Sequence, residues 1–274
     1  MKRFLAIILA GLMLLSLAAC GAKEDETSNT YARLTAYVNG EKIINHIIKE
    51  HPEIPSNTST KPLQYDSLNS ALMGLKSGKA AGLLVDNMTG KYIAAHNSEF
   101  AYSEAKAAHK IDYLMMTMDT KKEVCDILNN AIKDMKADGT LDALIENELK
   151  AYIESDPVAK DLPHFDGAKT IKIGVTGDLP PMDFVASNGK AAGFNIALLT
   201  EIANRAQVNF ELVQIETGAR AISLSSGNVD AIFWTSNYVC PTCGEVWSEE
   251  VEGTIVTESY FSSEFGSITL KSDK

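Results

Sequence analysis

Ile171-Lys172-Ile173-Gly174-Val175-Thr176-Gly177-Asp178-Leu179-Pro180-Pro181-Met182-Asp183-Phe184 is the stretch on which the fold turns. It reads as a strand over Lys172–Thr176 that runs into a loop carrying Asp178 and Leu179. Downstream, Asn195 is placed to cap a helix with Leu198, Leu199, Ile202 and Ala206 at three- and four-residue spacing. Further strands are expected at Phe210–Ile215 and Asp230–Trp234, and upstream at Arg33–Val38 and Ala81–Val85. Between them, Asp119 is a candidate cap for a helix with Val124, Leu128, Ala131, Ile132 and Met135 on one face, stopped by Gly139. Thr140 is expected to cap a second helix bearing Leu141, Leu144, Ile145 and Leu149. Short strands alternating with amphipathic helices predict α/β layers around a largely parallel sheet.

An internal similarity divides this α/β region in two. Ser70–Lys79 leads into Leu83-Leu84-Val85, and Ala219–Asn228 leads into Ala231-Ile232-Phe233, with Leu75, Ser77 and Gly78 matching Leu224, Ser226 and Gly227 at an offset of 149 positions. Each reads as helix, glycine stop and buried strand, which suggests two lobes of similar build. Residues 156–169, with Pro157, Pro163 and Gly167 and no periodicity, read as a linker.

The chain has 274 residues, 45% hydrophobic and 22% charged, enough for packed cores and unlike a disordered composition. Its 25 Lys and Arg against 36 Asp and Glu give −11, a charge that repels phosphate backbones and argues against nucleic acid as a partner. Met1-Lys2-Arg3 followed by the apolar run Phe4–Leu17 reads as an export signal over residues 1–19, too short to span about 30 Å of hydrocarbon. Leu17-Ala18-Ala19-Cys20 looks like a bacterial lipobox, with Cys20 the acylated first residue of the mature chain and residues 20–30 a solvated tether. The expected location is the outer face of the cell membrane, held there by lipid.

Several motifs carry a family resemblance. The opening stretch, then Asn188-Gly189-Lys190, Gly193-Phe194-Asn195-Ile196, Ser226-Gly227-Asn228-Val229-Asp230-Ala231-Ile232 and Glu258-Ser259-Tyr260-Phe261, resembles the start of family 3 extracellular solute-binding proteins of ABC importers. Ser77–Asp86 looks like that family's second-lobe motif, and Lys136-Ala137-Asp138-Gly139-Thr140-Leu141 like its near-terminal helix junction. The resemblance implies a two-lobe, type II periplasmic-binding-protein-like fold with a hinge. The order is unusual: residues 31–112 correspond to lobe 2, 113–155 to the returning helices of lobe 1, and 170–274 to the start of lobe 1. Such an order implies a circularly permuted domain, joined through 156–169, or else a fragment of a longer tandem protein.

On that resemblance a small polar, amino-acid-like ligand sits between the lobes and an ABC permease is the partner. Asp86, ending the second-lobe strand, either takes the ligand ammonium or caps the following helix. Thr235, Ser236 and Asn237 either occupy positions where the family supplies ligand contacts or are ordinary turn residues, Trp234 is a pocket wall or simple core, and Asp178 and Leu179 lie in the loop after the first strand. Where amino-acid binders carry a carboxylate-gripping arginine, this chain has Val239-Cys240-Pro241-Thr242-Cys243-Gly244, so Arg220 is either a substitute clamp or an exposed surface arginine. Cys240 and Cys243 are two ligands short of a zinc site and read as a local disulfide, and Cys125 as a small buried residue. His46, His51, His96, His109 and His164 show no metal spacing, and no nucleophile elbow or phosphate loop is present. No enzyme activity, metal or cofactor is therefore expected. The alternatives to a transport receptor are a sensor or adaptor using the same cleft, and a degenerate or enzymatic relative.

Overall fold

The computed structural model describes residues 30–35, 46, 61–104, 110–240 and 243–271. The expected signal, Cys20 and nearly all of the tether lie outside these residues. Among the described residues no helix is long and apolar enough to cross a membrane.

The fold is α/β, in two halves. The first holds β1 (Tyr31–Leu34), β2 (Leu63–Tyr65), α1 (Leu68–Lys76), β3 (Gly82–Asp86), α2 (Asn87–His96) and β4 (Phe100–Glu104). The second begins with β5 (Lys110–Met118), α3 (Lys122–Asp138) and α4 (Thr140–Leu144), the last continued by a π turn at Ile145–Leu149 and a 3-10 turn at Lys150–Tyr152. It goes on with β6 (Thr170–Val175), a small meander of β7 (Asp178–Leu179), β8 (Asp183–Val185) and β9 (Ala191–Ala192), α5 (Phe194–Ala206) and β10 (Asn209–Gln214). It closes with α6 (Arg220–Ser225), β11 (Ala231–Val239), β12 (Val246–Ser248) and β13 (Thr254–Val256), after which β14 (Phe261–Leu270) runs back toward the first half.

The two halves repeat one arrangement. In the first, β1 lies between β2 and β3, parallel to both, and β3 pairs antiparallel with β14. In the second, β6 lies between β10 and β11, parallel to both, and β11 pairs antiparallel with β5. Each half thus receives an antiparallel strand from a segment that follows the other half in the chain. β14 joins them: Phe261–Glu264 pair with β5, while Phe265–Leu270 pair with β3 and β4. The helix, glycine and strand units seen in the sequence occur at equivalent places, with Leu75 and Leu224 both buried and Gly78 and Gly227 at φ 70° and 75°.

α3 buries Val124, Cys125, Leu128, Ala131, Ile132 and Met135, the face expected from spacing, and ends at Gly139 in the left-handed region. Its start differs from expectation. Asp119 lies in a 3-10 turn, and the residue before α3 is Lys121, which makes no side-chain cap bond. Thr140 is likewise the first residue inside α4, preceded by Gly139. Asn195 does not cap α5 either; Gly193 does, at φ 95°, where an added Cβ would sit 2.6 Å from the Pro181 carbonyl and 2.7 Å from that of Met182. Only glycine fits so close a backbone approach. Residues 113–118, placed by the sequence reading with the returning helices, belong instead to strand β5. Tyr113, Leu114, Met115 and Met116 are all buried, on both faces of that strand.

Candidate functional site

Ile232 of β11 pairs with Gly174 of β6, so β6 ends at the level of Trp234–Ser236, where β11 runs on paired with β5 alone. The ends of parallel strands are where α/β sheets gather ligand-contacting groups. Trp234 is fully buried with a left-handed φ of 67°, beside a register shift between Ile232 and Thr235. This irregularity carries β11 beyond the expected end of the strand. The Trp234 indole donates to Asp183 Oδ2 at 3.3 Å, and the same oxygen accepts from the Thr176 amide at 2.8 Å and its hydroxyl at 3.0 Å. Asp183 therefore ties the two strand ends together. No local sequence pattern marks Asp183 for this role, since Trp234 lies 51 positions away.

Around Trp234 lies an aromatic cluster. Tyr113 meets the indole edge-on with centroids 5.3 Å apart and stacks on Phe261 at 6.0 Å, while Phe233 and Phe194 flank Tyr260 at 5.6 and 6.2 Å. Burial above all, together with the carboxylates of Asp183 and Asp86, pushes the Tyr260 hydroxyl above its ordinary pKa.

The structure gives Asp86 the capping role. It is fully buried, and Oδ1 accepts from the Met88 and Thr89 amides at 2.9 and 3.1 Å. Asp178 reaches across the halves: Oδ2 accepts from the Leu68 amide at the start of α1, at 3.3 Å. Burial raises its pKa, against the lowering effect of that amide. Asp178 Oδ1, Thr235 Oγ1, Ser236 Oγ and both amide atoms of Asn195 are buried with no hydrogen-bond partner among the described residues. Unsatisfied buried polar atoms are rare, because each costs about 1–3 kcal/mol. Leu179 is buried, and Asn237 is partly buried, opposite Asp112 of β5 and Ser248 of β12.

Arg220 is not exposed. Its side chain is 4% accessible, with Nη1 donating to the Phe233 carbonyl at 2.9 Å, Nε to that of Thr217 at 3.2 Å, and Nη2 facing Glu249 at 3.3 and 3.4 Å. Burial pushes the Glu249 carboxyl up in pKa while Arg220 pulls it down.

The cysteine loop also departs from expectation. Among the described residues no disulfide joins Cys240 to Cys243. The Cys243 amide points at Cys240 Sγ, 3.4 Å away, the Gly244 amide donates to the Cys240 carbonyl at 2.9 Å, and His46 brings Nε2 to both sulfurs. The histidine lies 194 positions from Cys240, so no motif spacing could have joined them.

Residues 171–238 match the family described as bacterial extracellular solute-binding proteins, family 3. The matched segment runs from β6 to the end of β11, so it contains Asp178, Asp183 and Trp234–Asn237. No curated protein matches the chain. Among solved structures, the ligand-binding component of an ABC-type import system from Staphylococcus aureus is similar at TM-score 0.44 and 8% identity, over 88% of this chain and 65% of that one. The periplasmic aliphatic sulphonate-binding protein SsuA from Escherichia coli is similar at TM-score 0.36 and 10% identity, over 89% and 66%. CbnR, a LysR-family transcriptional regulator, is similar at TM-score 0.40 and 8% identity, over 100% and 76%. The chain spans just under two thirds of the first two.

Proposed function

We propose that this chain is an extracytoplasmic solute-binding protein that captures a small polar ligand, an amino acid or a related compound, between its halves and presents it to an ABC permease. The observation that carries the reading is the set of buried, unsatisfied polar atoms on Asp178, just past the end of β6, and on Thr235 and Ser236, where β11 runs on beyond its pairing with β6, all inside the family-matched segment. A ligand offering donors and acceptors there would relieve their desolvation. Asp86 and Asp178 favour a ligand with an ammonium group, and Asp178, which touches α1, lies where closure of the halves is sensed. In this reading Trp234 and Leu179 form the apolar floor, Asn237 lies at the rim, and Arg220 shapes the β11 turn from behind and does not clamp a carboxylate.

The family match starts at residue 171, in mid-chain, which supports a permuted order: residues 31–112 as one lobe, 113–155 and 170–274 as the other, 156–169 joining the old termini. The two halves expose Met73 and Ile222, 70% and 71% accessible and 149 positions apart, at equivalent points of α1 and α6. Matched apolar points suit a partner that is itself two-fold, as a permease pair is. Cys20 supplies the membrane anchor through acylation.

The test is thermal unfolding of the full chain against amino acids, polyamines and small peptides. A ligand that binds only the native state raises the midpoint by about 2.7 kcal/mol of stabilisation at 100 times its Kd. A cooperative transition that no ligand in these classes moves would remove the receptor reading. The result would then favour a sensor or a degenerate relative.

A further inference from the structure

We propose that His46, Cys240 and Cys243 form a binding site for a borderline-soft divalent ion of the zinc class, and that this ion fastens His46 to the end of β11. The three ligand atoms lie within 4.8 Å of one another. His46 Nε2 is 3.3 Å from Cys240 Sγ and 3.5 Å from Cys243 Sγ. A tetrahedral zinc ion, with bonds of about 2.0–2.1 Å to nitrogen and about 2.3 Å to sulfur, requires nitrogen and sulfur to stand roughly 3.5–3.6 Å apart. The two nitrogen–sulfur separations already suit an ion, and the sulfurs, within 4.8 Å of each other, would stand about 3.8 Å apart around it.

The surroundings fit as well. The Cys243 amide directed at Cys240 Sγ would stabilise a thiolate there, and Gly244, at φ 75°, lets the turn close behind both sulfurs. The other ring nitrogen of His46, Nδ1, faces Glu245 Oε2 at 3.8 Å, on the side where histidine ligands commonly meet an orienting carboxylate. The imidazole also lies against Trp247, centroids 4.7 Å apart, which fixes the ring while Nε2 points at the sulfurs. Cys240 is buried and Cys243 exposed, so an ion can enter from solvent. Two thiolates and one imidazole make three protein ligands, which leaves one tetrahedral position for water or an incoming donor. Binding releases two thiol protons and involves no redox step.

The ligands come from opposite halves. His46 lies in sequence between β1 and β2, and both cysteines follow β11. The ion would bias how the halves sit, independently of whether the strand-end site takes a ligand.

The experiment is a cobalt(II) titration of the reduced full chain in detergent, with thiols counted first. The expected result is one equivalent bound, with the intense visible bands of a tetrahedral site and near-ultraviolet thiolate charge transfer, bleached by equimolar zinc. His46→Gln and Cys243→Ser should each lose the tetrahedral bands while far-ultraviolet circular dichroism shows the fold retained. Glu245→Gln should weaken binding about 10–100-fold. Zinc should raise the unfolding midpoint of the wild type and not of His46→Gln. Absence of the bands in fully reduced protein would overturn the proposal. Their persistence in either ligand variant, which would place the ion on other cysteines, would overturn it too, as would a Cys240–Cys243 disulfide that resists reductant.

Discussion

Replacing Arg220 by methionine keeps an unbranched stem in place but deletes the charge that faces Glu249 and the donors to Thr217 and Phe233. Removing one partner of a buried pair costs about 3–5 kcal/mol, because the other charge stays buried without compensation. Glu249 is 21% accessible, so part of its charge can be solvated and the lower end, about 3 kcal/mol, is expected. At roughly 2–4 °C per kcal/mol for a chain of this size, the midpoint should fall by about 6–12 °C. The loss should also depend on pH. Burial already holds the Glu249 pKa above its ordinary value, and without Arg220 it rises further. A native pKa above the unfolded one means that the folded state keeps a proton the unfolded state has released. Stability of the variant therefore falls as pH rises through that window, and its deficit against wild type shrinks on going from pH 7 to pH 5. Urea unfolding followed by circular dichroism at both pH values measures this. The double variant Arg220→Met/Glu249→Gln should recover most of the loss. A deficit under about 1 kcal/mol at pH 7, or a double variant no better than the single one, would refute the reasoning.

Asp178→Asn keeps an acceptor for the Leu68 amide but removes a carboxylate whose pKa burial has raised. Ionising Asp178 costs the wild type stability as pH rises from its unfolded to its native pKa, so the variant should be the more stable at pH 7, and a lower midpoint there would contradict this. Asp86→Ala removes the acceptor of the Met88 and Thr89 amides and should cost about 1 kcal/mol in chemical denaturation, while Asp86→Asn retains the cap. If Asp86 also serves the ligand, Asp86→Asn weakens binding of an ammonium-bearing compound without that stability loss, and unchanged affinity would confine the residue to capping. Leu128→Ala, at a fully buried position of α3, should cost about 2–5 kcal/mol in the same assay, and a loss near zero would mean that α3 is not packed as described.

What could be read in advance follows from where the information resides. α3 was legible because Val124, Leu128, Ile132 and Met135 recur at helical spacing and Gly139 marks the end. The repeated unit around Gly78 and Gly227 was legible because a left-handed stop leaves a local signature. β5 was not: Tyr113-Leu114-Met115-Met116 is buried on both faces, and a short, continuous apolar run has no period to separate strand from helix. The N-termini of α3 and α5 were misplaced by a few residues because Asp119 and Asn195 look like caps, whereas the chain uses a 3-10 turn and a glycine. Asp178, Thr235 and Ser236 are candidates through resemblance alone, and only the register shows that Thr235 and Ser236 lie where β11 runs on beyond β6. Asp183 has no local signal, since its role exists only once Trp234 and Thr176 are brought to it. His46 and the cysteines were beyond reach for the same reason, as the partners meet across most of the chain.

β14 has a consequence for how the protein is made. The first half is complete in sequence by Glu104, yet its sheet pairs with residues 265–270, synthesised more than 150 positions later. Until then β3 presents an open edge with Gly82–Asp86 unpaired on that side, the kind of edge that invites pairing with another chain. A nascent chain stalled before residue 261 would therefore carry an adhesive half-sheet, and the emergence of β14 is the event that supplies the missing partner to β3, β4 and β5. The first half's sheet therefore cannot be completed before β14 is made, and until then it depends on whatever shields that edge.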